Sequence, residues 1–327
     1  MPAVIGSRVM SRSVGLSEAI RAVLTEPILA LAALVTLAGD AVTLLAISLS
    51  AYWLGAPVGE GRELDRRRGA FVFGCALGAL SLTAGLKTFF ALPRPSIGVL
   101  APEAFGSLPA ADVLRAFVES AASASGYGFP SGHAIGSTVV YGGLALVSDV
   151  GTRRGRAVGA GLLVGLVSLS RVVVGVHYLV DVLVGIVVGI AFLATVISLT
   201  RGADTTRAFA LAVFLGVFAV IVAIGDAPRD AVALLGVSVG AMGSWLLLDE
   251  ARRSGSGRER LGTLLTGALV AGGPGALIYA FDLPLPREFL ASVAVGAAAI
   301  AAPRIANIGA AVLGSAGGSE ADQNVSR

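Results

Sequence analysis

Ten apolar stretches follow one another along this 327-residue chain, most of them long enough to cross a bilayer as a helix. A transmembrane helix needs about 20 apolar residues to span the hydrocarbon core. Hydrophobic residues make up 55% of the chain and charged residues only 14%, whereas soluble domains carry about 25% charged residues. The sequence therefore predicts an all-α integral membrane protein. The predicted spans are residues 20–38, 41–55, 69–91, 132–149, 157–174, 178–200, 207–225, 230–248, 261–281 and 289–313.

Arginines are concentrated in every second loop of this pattern. These loops carry Arg62, Arg66, Arg67 and Arg68, then Arg153, Arg154 and Arg156, then Arg201 and Arg207, then Arg252, Arg253, Arg258 and Arg260. Because basic loops remain in the cytoplasm, we expect the intervening loops on the extracytoplasmic face. The net charge of +3 is small and spread over many loops, which argues against nucleic-acid binding. We expect a multi-pass protein of a cell membrane, of the prokaryotic plasma-membrane type.

The only lysine, Lys87, lies near the end of the third apolar stretch, and Arg94-Pro95 follows it. A charge in the middle of a membrane costs about 2.5–3.5 kcal/mol on insertion scales. Arg94 comes two helical turns after Lys87, so both side chains can project to one side. The alternative is that Lys87 reaches up to the interface and that Arg94 is simply the first charge of the loop.

The two histidines of the chain lie in two further segments. In Pro130-Ser131-Gly132-His133, a helix start follows proline and serine, and the free amides of a helix N-terminus attract anions. The alternative is an ordinary helix cap with an interfacial histidine.

The third segment runs from Ser170-Arg171 to His177 and Asp181. Four residues separate His177 from Asp181, so on a helix they share a face, and the carboxylate can fix the tautomer of the ring. Arg171 offers planar donors that suit phosphate oxygens. The alternative is a structural Arg–Asp pair inside the bundle. All three segments fall on the predicted extracytoplasmic face with Asp40, which we interpret first as a turn residue after Gly39 and second as a member of the same polar network.

Together, Lys-x6-Arg-Pro, Pro-Ser-Gly-His and Ser-Arg-x5-His-x3-Asp resemble the three-part signature of the type-2 phosphatidic acid phosphatase and vanadium haloperoxidase superfamily, in its membrane lipid phosphatase branch. The resemblance implies a six-helix core, a nucleophilic His177 that becomes phosphorylated, an Asp181 that orients it, and a general acid at His133. By the same resemblance Lys87, Arg94, Arg171, Ser131 and Gly132 hold the phosphoryl oxygens, and Ser170 and Pro95 lie behind them. Asp40 is grouped with these two because of its predicted position on the same face, not because of the resemblance. It implies no metal and no other cofactor.

We therefore expect a lipid-phosphatase-like core at 1–200, about four additional transmembrane helices at 201–313 and a disordered tail at 314–327. The expected activity is hydrolysis of a lipid phosphate or diphosphate of the isoprenyl diphosphate, phosphatidylglycerophosphate or phosphatidate type. A phospho-headgroup transferase and a lipid-phosphate binding or transport bundle are the alternatives. The expected partner is the lipid substrate, and the sequence leaves the oligomeric state open.

Overall fold

The computed structural model describes residues 26–55, 66–95, 126–200, 203–224, 229–248, 257–281 and 283–325. Within these ranges the chain forms helices and no strand, which confirms the predicted all-α fold. The helices are α1 Glu26–Leu37, α2 Ala41–Leu54, α3 Arg66–Phe90, α4 Gly132–Val147, α5 Arg153–Val173, α6 Leu179–Thr200, α7 Thr205–Val222, α8 Arg229–Leu247, α9 with the consecutive segments Gly257–Gly267, Ala268–Gly272 (a π-helical turn) and Gly273–Ala280, and α10 Leu285–Val325.

Seven of the described helices are long and apolar enough to cross a membrane, and α1 with α2 adds an eighth if that bent pair is one span. Helix α4 is apolar but shorter than these. Each helix coincides with one of the apolar stretches predicted from the sequence, because a run of apolar residues in lipid must satisfy its backbone hydrogen bonds internally. The protein is therefore a multi-pass membrane protein.

Helices α1 and α2 differ from the prediction of two separate spans. Their axes meet at 49° across a short break, as in a broken span or a re-entrant loop. The break lies at Gly39-Asp40, where successive turn hydrogen bonds replace the α-helical ladder. A Cβ on Gly39 would meet Val167 and would lie 2.9 Å from Cδ2 of His133. Glycine is therefore required here by the close approach of α4 and α5.

Helix α3 lies at the centre of the bundle. One buried cluster joins its Phe71 and Val72 to residues of α2, α4, α6 and α7. A second cluster joins its Phe73 and Leu77 to residues of α2, α7, α8, α9 and α10. The hydrophobic core thus continues across the predicted division at residue 200, and that division remains a prediction.

Two buried hydrogen bonds tie α2 to α10. The Tyr52 hydroxyl donates to the carbonyl of Ile300 at 2.7 Å, and the Trp53 indole donates to the carbonyl of Ala299 at 2.8 Å. In a regular helix the carbonyl of Ala299 would accept from residue 303, but Pro303 has no N–H. Trp53 therefore satisfies a carbonyl that the proline leaves without its intrahelical donor.

Helices α8 and α10 approach each other at glycines. A Cβ on Gly240 would collide with the carbonyl of Val293 and would lie 2.8 Å from the amide of Ala297. Small residues at such a crossing let two membrane helices pack backbone against backbone. The four-residue glycine spacing of Gly236 and Gly240 thus has a packing role.

The tail 314–327 was predicted to be disordered, but its residues up to Val325 form the end of helix α10. Adding a residue to an existing helix is far easier than starting a new one, and α10 already runs from Leu285 without interruption. Residues 326–327 and the first residues of the predicted span 20–38 lie outside the described part of the chain.

Candidate active site

Three separate chain segments meet at one end of the bundle: the end of α3, the start of α4 and the turn between α5 and α6. The amide of Ser131 donates to the carbonyl of Asp181 at 3.0 Å, which joins the start of α4 to α6. Arg94 donates through Nη1 to the carbonyl of Val176 at 3.2 Å, which joins the segment after α3 to the same turn. The structure thus brings together the three segments that carry the sequence motifs.

His177 lies in the turn rather than on a helix, contrary to the assumption behind its predicted spacing with Asp181. Helix α5 ends at Val173, and Gly175 adopts a φ of 83°, a left-handed conformation that glycine takes without strain. Asp181 is the third residue of α6, and its Oδ2 accepts from the amide of Tyr178 at 3.0 Å. The carboxylate is therefore fixed by the helix start.

The His177 ring is 1% exposed and lies between Asp181 and Arg94. Its Nδ1 lies 3.5 Å from Oδ2 of Asp181, and its Nε2 lies 3.2 Å from Nη1 of Arg94. Because a guanidinium can only donate, Nε2 must present its lone pair to Arg94. The proton of the neutral ring then belongs on Nδ1, which faces the Asp181 carboxylate.

Burial lowers the pKa of His177 well below its ordinary 6.5, and the positive charges of Arg171 and Arg94 lower this pKa further. The ring is therefore neutral at physiological pH. A neutral histidine whose Nε2 carries no proton is in the protonation state that a nucleophile requires.

Three cations surround this histidine. Arg94 is held by the carbonyls of Gly126, at 3.1 Å from Nε, and Val176. Arg171 is almost fully buried at the end of α5, and its Nη1 donates to the Thr36 hydroxyl at 2.7 Å. Lys87 lies in the last turn of α3. Such a cluster of positive charge suits the oxygens of a phosphoryl group.

The spacing of Lys87 and Arg94 had suggested that both lie on one helix, but the helix ends between them. Helix α3 ends at Phe90, and Ala91 has a φ of 47°. The chain then turns back, and the amide of Gly128 donates to the carbonyl of Leu92 at 2.8 Å. Arg94 therefore reaches the site from an irregular segment beside the Pro130-Ser131 connection.

The start of α4 faces the same place. Ser131 precedes the helix, is fully buried, and its hydroxyl finds no hydrogen-bond partner among the described residues. A Cβ on Gly132 would lie 2.9 Å from Cγ2 of Thr83 and 3.8 Å from Nζ of Lys87. Glycine thus lets α3 pack closely through Thr83 against the first turn of α4, where the amides have no intrahelical acceptor and Lys87 lies nearby.

Residues 69–205 match the model of the PAP2 superfamily. This part of the chain belongs to that superfamily. The match contains all three motifs and confirms the resemblance drawn from them. Membership in the PAP2 superfamily implies phosphatase or phosphoryl-transfer activity. Comparison of the chain with curated proteins and with solved structures gave no match.

Three contacts reach the PAP2 segment from the broken helix that precedes it. Oδ1 of Asp40 lies 2.7 Å from Nε2 of His133, and the Thr36 hydroxyl accepts from Arg171. The Tyr141 hydroxyl also donates to the carbonyl of Ala38 at 2.6 Å. Asp40 is thus both the turn residue that we favoured and a partner of a motif histidine.

Thr36 and Tyr141 were not predicted from the sequence. Neither belongs to a motif, and both lie in largely apolar helices. The one available signal was the position of Thr36 four residues before Asp40, which places both near the break between α1 and α2.

The remaining predicted residues, Ser170 and Pro95, are neighbours in the chain of Arg171 and Arg94. Ser170 is buried, and its hydroxyl donates to the carbonyl of Val167 in its own helix at 2.7 Å. Pro95 is half-buried and directly follows Arg94. The Ser170 hydrogen bond thus lies within the last turns of α5, directly before Arg171.

Proposed function

We propose that the protein is an integral-membrane phosphatase that hydrolyses a lipid phosphate or diphosphate through a phosphohistidine intermediate on His177. The observation that carries this proposal is the Nε2 lone pair of a buried, neutral His177 directed at Arg94, 3.2 Å away. When a phosphoryl group binds, Arg94 can transfer its hydrogen bond from Nε2 to a phosphoryl oxygen, which leaves the Nε2 lone pair facing phosphorus.

In the first step the lone pair of Nε2 attacks phosphorus, an N–P bond forms and the bond from phosphorus to the leaving oxygen breaks. The Nδ1 proton faces Asp181 throughout, so the carboxylate stabilises the positive charge that the ring acquires. His133 keeps its Nε2–H on Asp40 and donates the proton of Nδ1 to the leaving oxygen.

In the second step water attacks phosphorus, His133 accepts its proton, and the N–P bond breaks to release phosphate and the neutral ring. Arg94, Arg171 and Lys87 neutralise the phosphoryl oxygens in both steps. Ser131 and the amides at the start of α4 add neutral donors. Phosphoryl transfer depends mainly on such positioning and charge neutralisation.

A lipid is the proposed substrate because the site lies at the ends of apolar helices, which is where a bilayer has its headgroups. The arginines of the opposite end support an extracytoplasmic site: Arg68 contacts Asp149 and donates to the carbonyl of Val147, far along α3 and α4 from the motifs. By the positive-inside rule that end is cytoplasmic.

The test is phosphate release by purified protein in detergent with EDTA. The panel contains an isoprenyl diphosphate, phosphatidylglycerophosphate, phosphatidate and a water-soluble ester, each with His177→Ala and with Arg154→Ala as an exposed control at the other end of the bundle. Release that His177→Ala abolishes and Arg154→Ala retains supports the proposal. Release that survives in His177→Ala overturns the nucleophile. Transfer to an added alcohol in place of release indicates a headgroup transferase, and binding without turnover indicates a transport bundle.

A further inference from the structure

An apolar groove of about 290 Å³ lies between α3, α6 and α7, below the phosphate-binding end of the bundle. Leu82 lines it from α3, Val188 and Phe192 line it from α6, and Leu211 and Leu215 line it from α7. The residues from α7 lie beyond position 205, where the PAP2 match ends. The groove therefore depends on the first of the additional helices.

The walls of the groove lead up toward the site on two helices. Leu82 and Phe89 are seven residues apart on α3, which is two turns on the same face and a rise of about 10 Å. Val188 and Asp181 are also seven residues apart, two turns on one face of α6. The groove thus begins about one headgroup length below the carboxylate that faces His177.

An exposed aromatic cluster marks the upper end of this path. Phe89 and Phe90 are 66% and 43% exposed although they end an otherwise buried helix. Phe90 packs edge-to-face on Phe89 at 5.2 Å and on Phe129 at 5.1 Å between ring centroids. Phe89 follows Lys87 by two residues and Phe129 precedes Ser131 by two, so the rings border the phosphate site on both motifs.

We propose that this path is the subsite for the hydrocarbon chain of the lipid substrate: the chain leaves the phosphate site over the Phe89–Phe90–Phe129 cluster and lies in the α3–α6–α7 groove. The proposal rests on the proposed function for the identity of the headgroup. It assigns the first additional helix, α7, a role in substrate selection.

The groove acts by shape rather than by withdrawing apolar surface from water. A lipid chain in the bilayer is already in hydrocarbon, so its transfer to an apolar groove gains little hydrophobic free energy. Packing against Leu82, Val188 and Leu215 instead fixes the direction of the chain, and so the position of its phosphate relative to His177. Orientation of this kind accelerates a reaction without tighter binding.

The first experiment fills the groove. Leu215→Trp is compared with Leu162→Trp, a substitution of a 63% exposed leucine on α5 away from the groove. The measured quantity is the ratio of kcat/KM for a long-chain lipid phosphate to kcat/KM for a short-chain phosphate of the same headgroup. We expect a drop of about tenfold in this ratio for Leu215→Trp and the wild-type ratio for Leu162→Trp. An unchanged ratio for a folded Leu215→Trp protein overturns the proposal.

The second experiment uses the wild-type chain and needs no turnover. The protein in nanodiscs is photolabelled with a lipid phosphate that carries a diazirine in its chain, and adducts are located by mass spectrometry. We expect adducts on the groove-lining parts of α3, α6 and α7, which unlabelled lipid phosphate suppresses and a phosphate-free lipid of equal chain length does not. Labelling spread equally over α5, or suppressed equally by both lipids, identifies ordinary membrane lipid and overturns the proposal. Groove adducts without hydrolysis of any ester would instead contradict the phosphatase function and leave the chain subsite in place.

Discussion

Nε2 of His133 and Oδ1 of Asp40 lie 2.7 Å apart, although one residue opens α4 and the other lies in the break between α1 and α2. A carboxylate at this distance holds the ring in one orientation, with a proton on Nε2. Asp40 lies outside the region that matches the PAP2 superfamily. The broken helix thus positions the histidine that we propose as the general acid.

If Asp40 positions a general acid, its removal should affect poor leaving groups most. We expect Asp40→Asn to lower kcat/KM for an alkyl phosphate by about 10- to 100-fold and to change kcat/KM for a p-nitrophenyl phosphate much less, since general acid catalysis contributes about 10²- to 10⁴-fold in total. The measurement is kcat/KM for the two esters side by side, because this constant covers only the steps up to departure of the leaving group. Equal losses for both would indicate that Asp40 has only a structural role.

The phosphohistidine should be observable directly. Rapid acid-free quenching of enzyme with ³²P-labelled substrate should yield an acid-labile phosphoprotein, and His177→Ala should yield none. Asp181→Asn should form it more slowly, because the charge on the ring loses its counter-ion 3.5 Å away. A labelled phosphoprotein in His177→Ala would assign the nucleophile to another residue.

The buried contact between Arg171 and Thr36 should be sensitive to the shape of the arginine side chain as well as to its charge. Arg171→Lys keeps the charge but loses the planar set of donors, one of which binds Thr36. We expect a fall of about 10²- to 10³-fold in kcat/KM, comparable to the loss of one oxyanion donor. Thr36→Val should have a smaller effect in the same direction. Full activity in Arg171→Lys would remove the guanidinium from the site.

The pH profile should reflect a nucleophilic histidine that stays neutral at pH values below the ordinary histidine pKa. Protonation of Nε2 abolishes attack, and burial with Arg171 and Arg94 lowers the pKa of His177 well below 6.5. Activity that depends on this group is therefore fully present above pH 6.5 and is lost only as the pH falls through the lower pKa. In His133→Gln no other histidine remains, so kcat/KM of this variant, corrected for ionisation of the substrate, should show no acid limb centred at or above pH 6.5. An acid limb centred at or above pH 6.5 would contradict the assignment of His177 as a nucleophile with a lowered pKa.

The crossing of α8 and α10 allows a matched test on one helix. Gly240→Ala would place a Cβ against the backbone of Val293 and Ala297, whereas a Cβ on Gly243 meets nothing within 4 Å. Overpacking costs about 1–3 kcal/mol, so Gly240→Ala should lower the Tm in detergent. Gly243→Ala should leave the Tm unchanged or raise it slightly, because alanine favours a helix by up to about 1 kcal/mol over glycine. Equal Tm values for both variants would show that the crossing tolerates a wider separation.

By itself, the sequence determined the helical membrane fold, the positions of most helices and the superfamily that residues 69–205 match. Apolar runs of membrane length permit little other than helices in lipid, and Lys87, His133 and His177 stand out because they are the only residues of their types. The three motifs also named the residues that the structure brings to one end of the bundle.

Only the tertiary structure decided which other residues reach that site. Thr36 and Asp40 contact Arg171 and His133 because α1 and α2 bend by 49° at Gly39 and pack against α4 and α5. Likewise α3 carries two cores because α7 to α10 cover one of its sides, and the groove exists because α7 meets α3 and α6. These contacts join residues far apart in the chain, and in a helix surrounded by lipid the hydrophobic pattern does not indicate which face meets which neighbour.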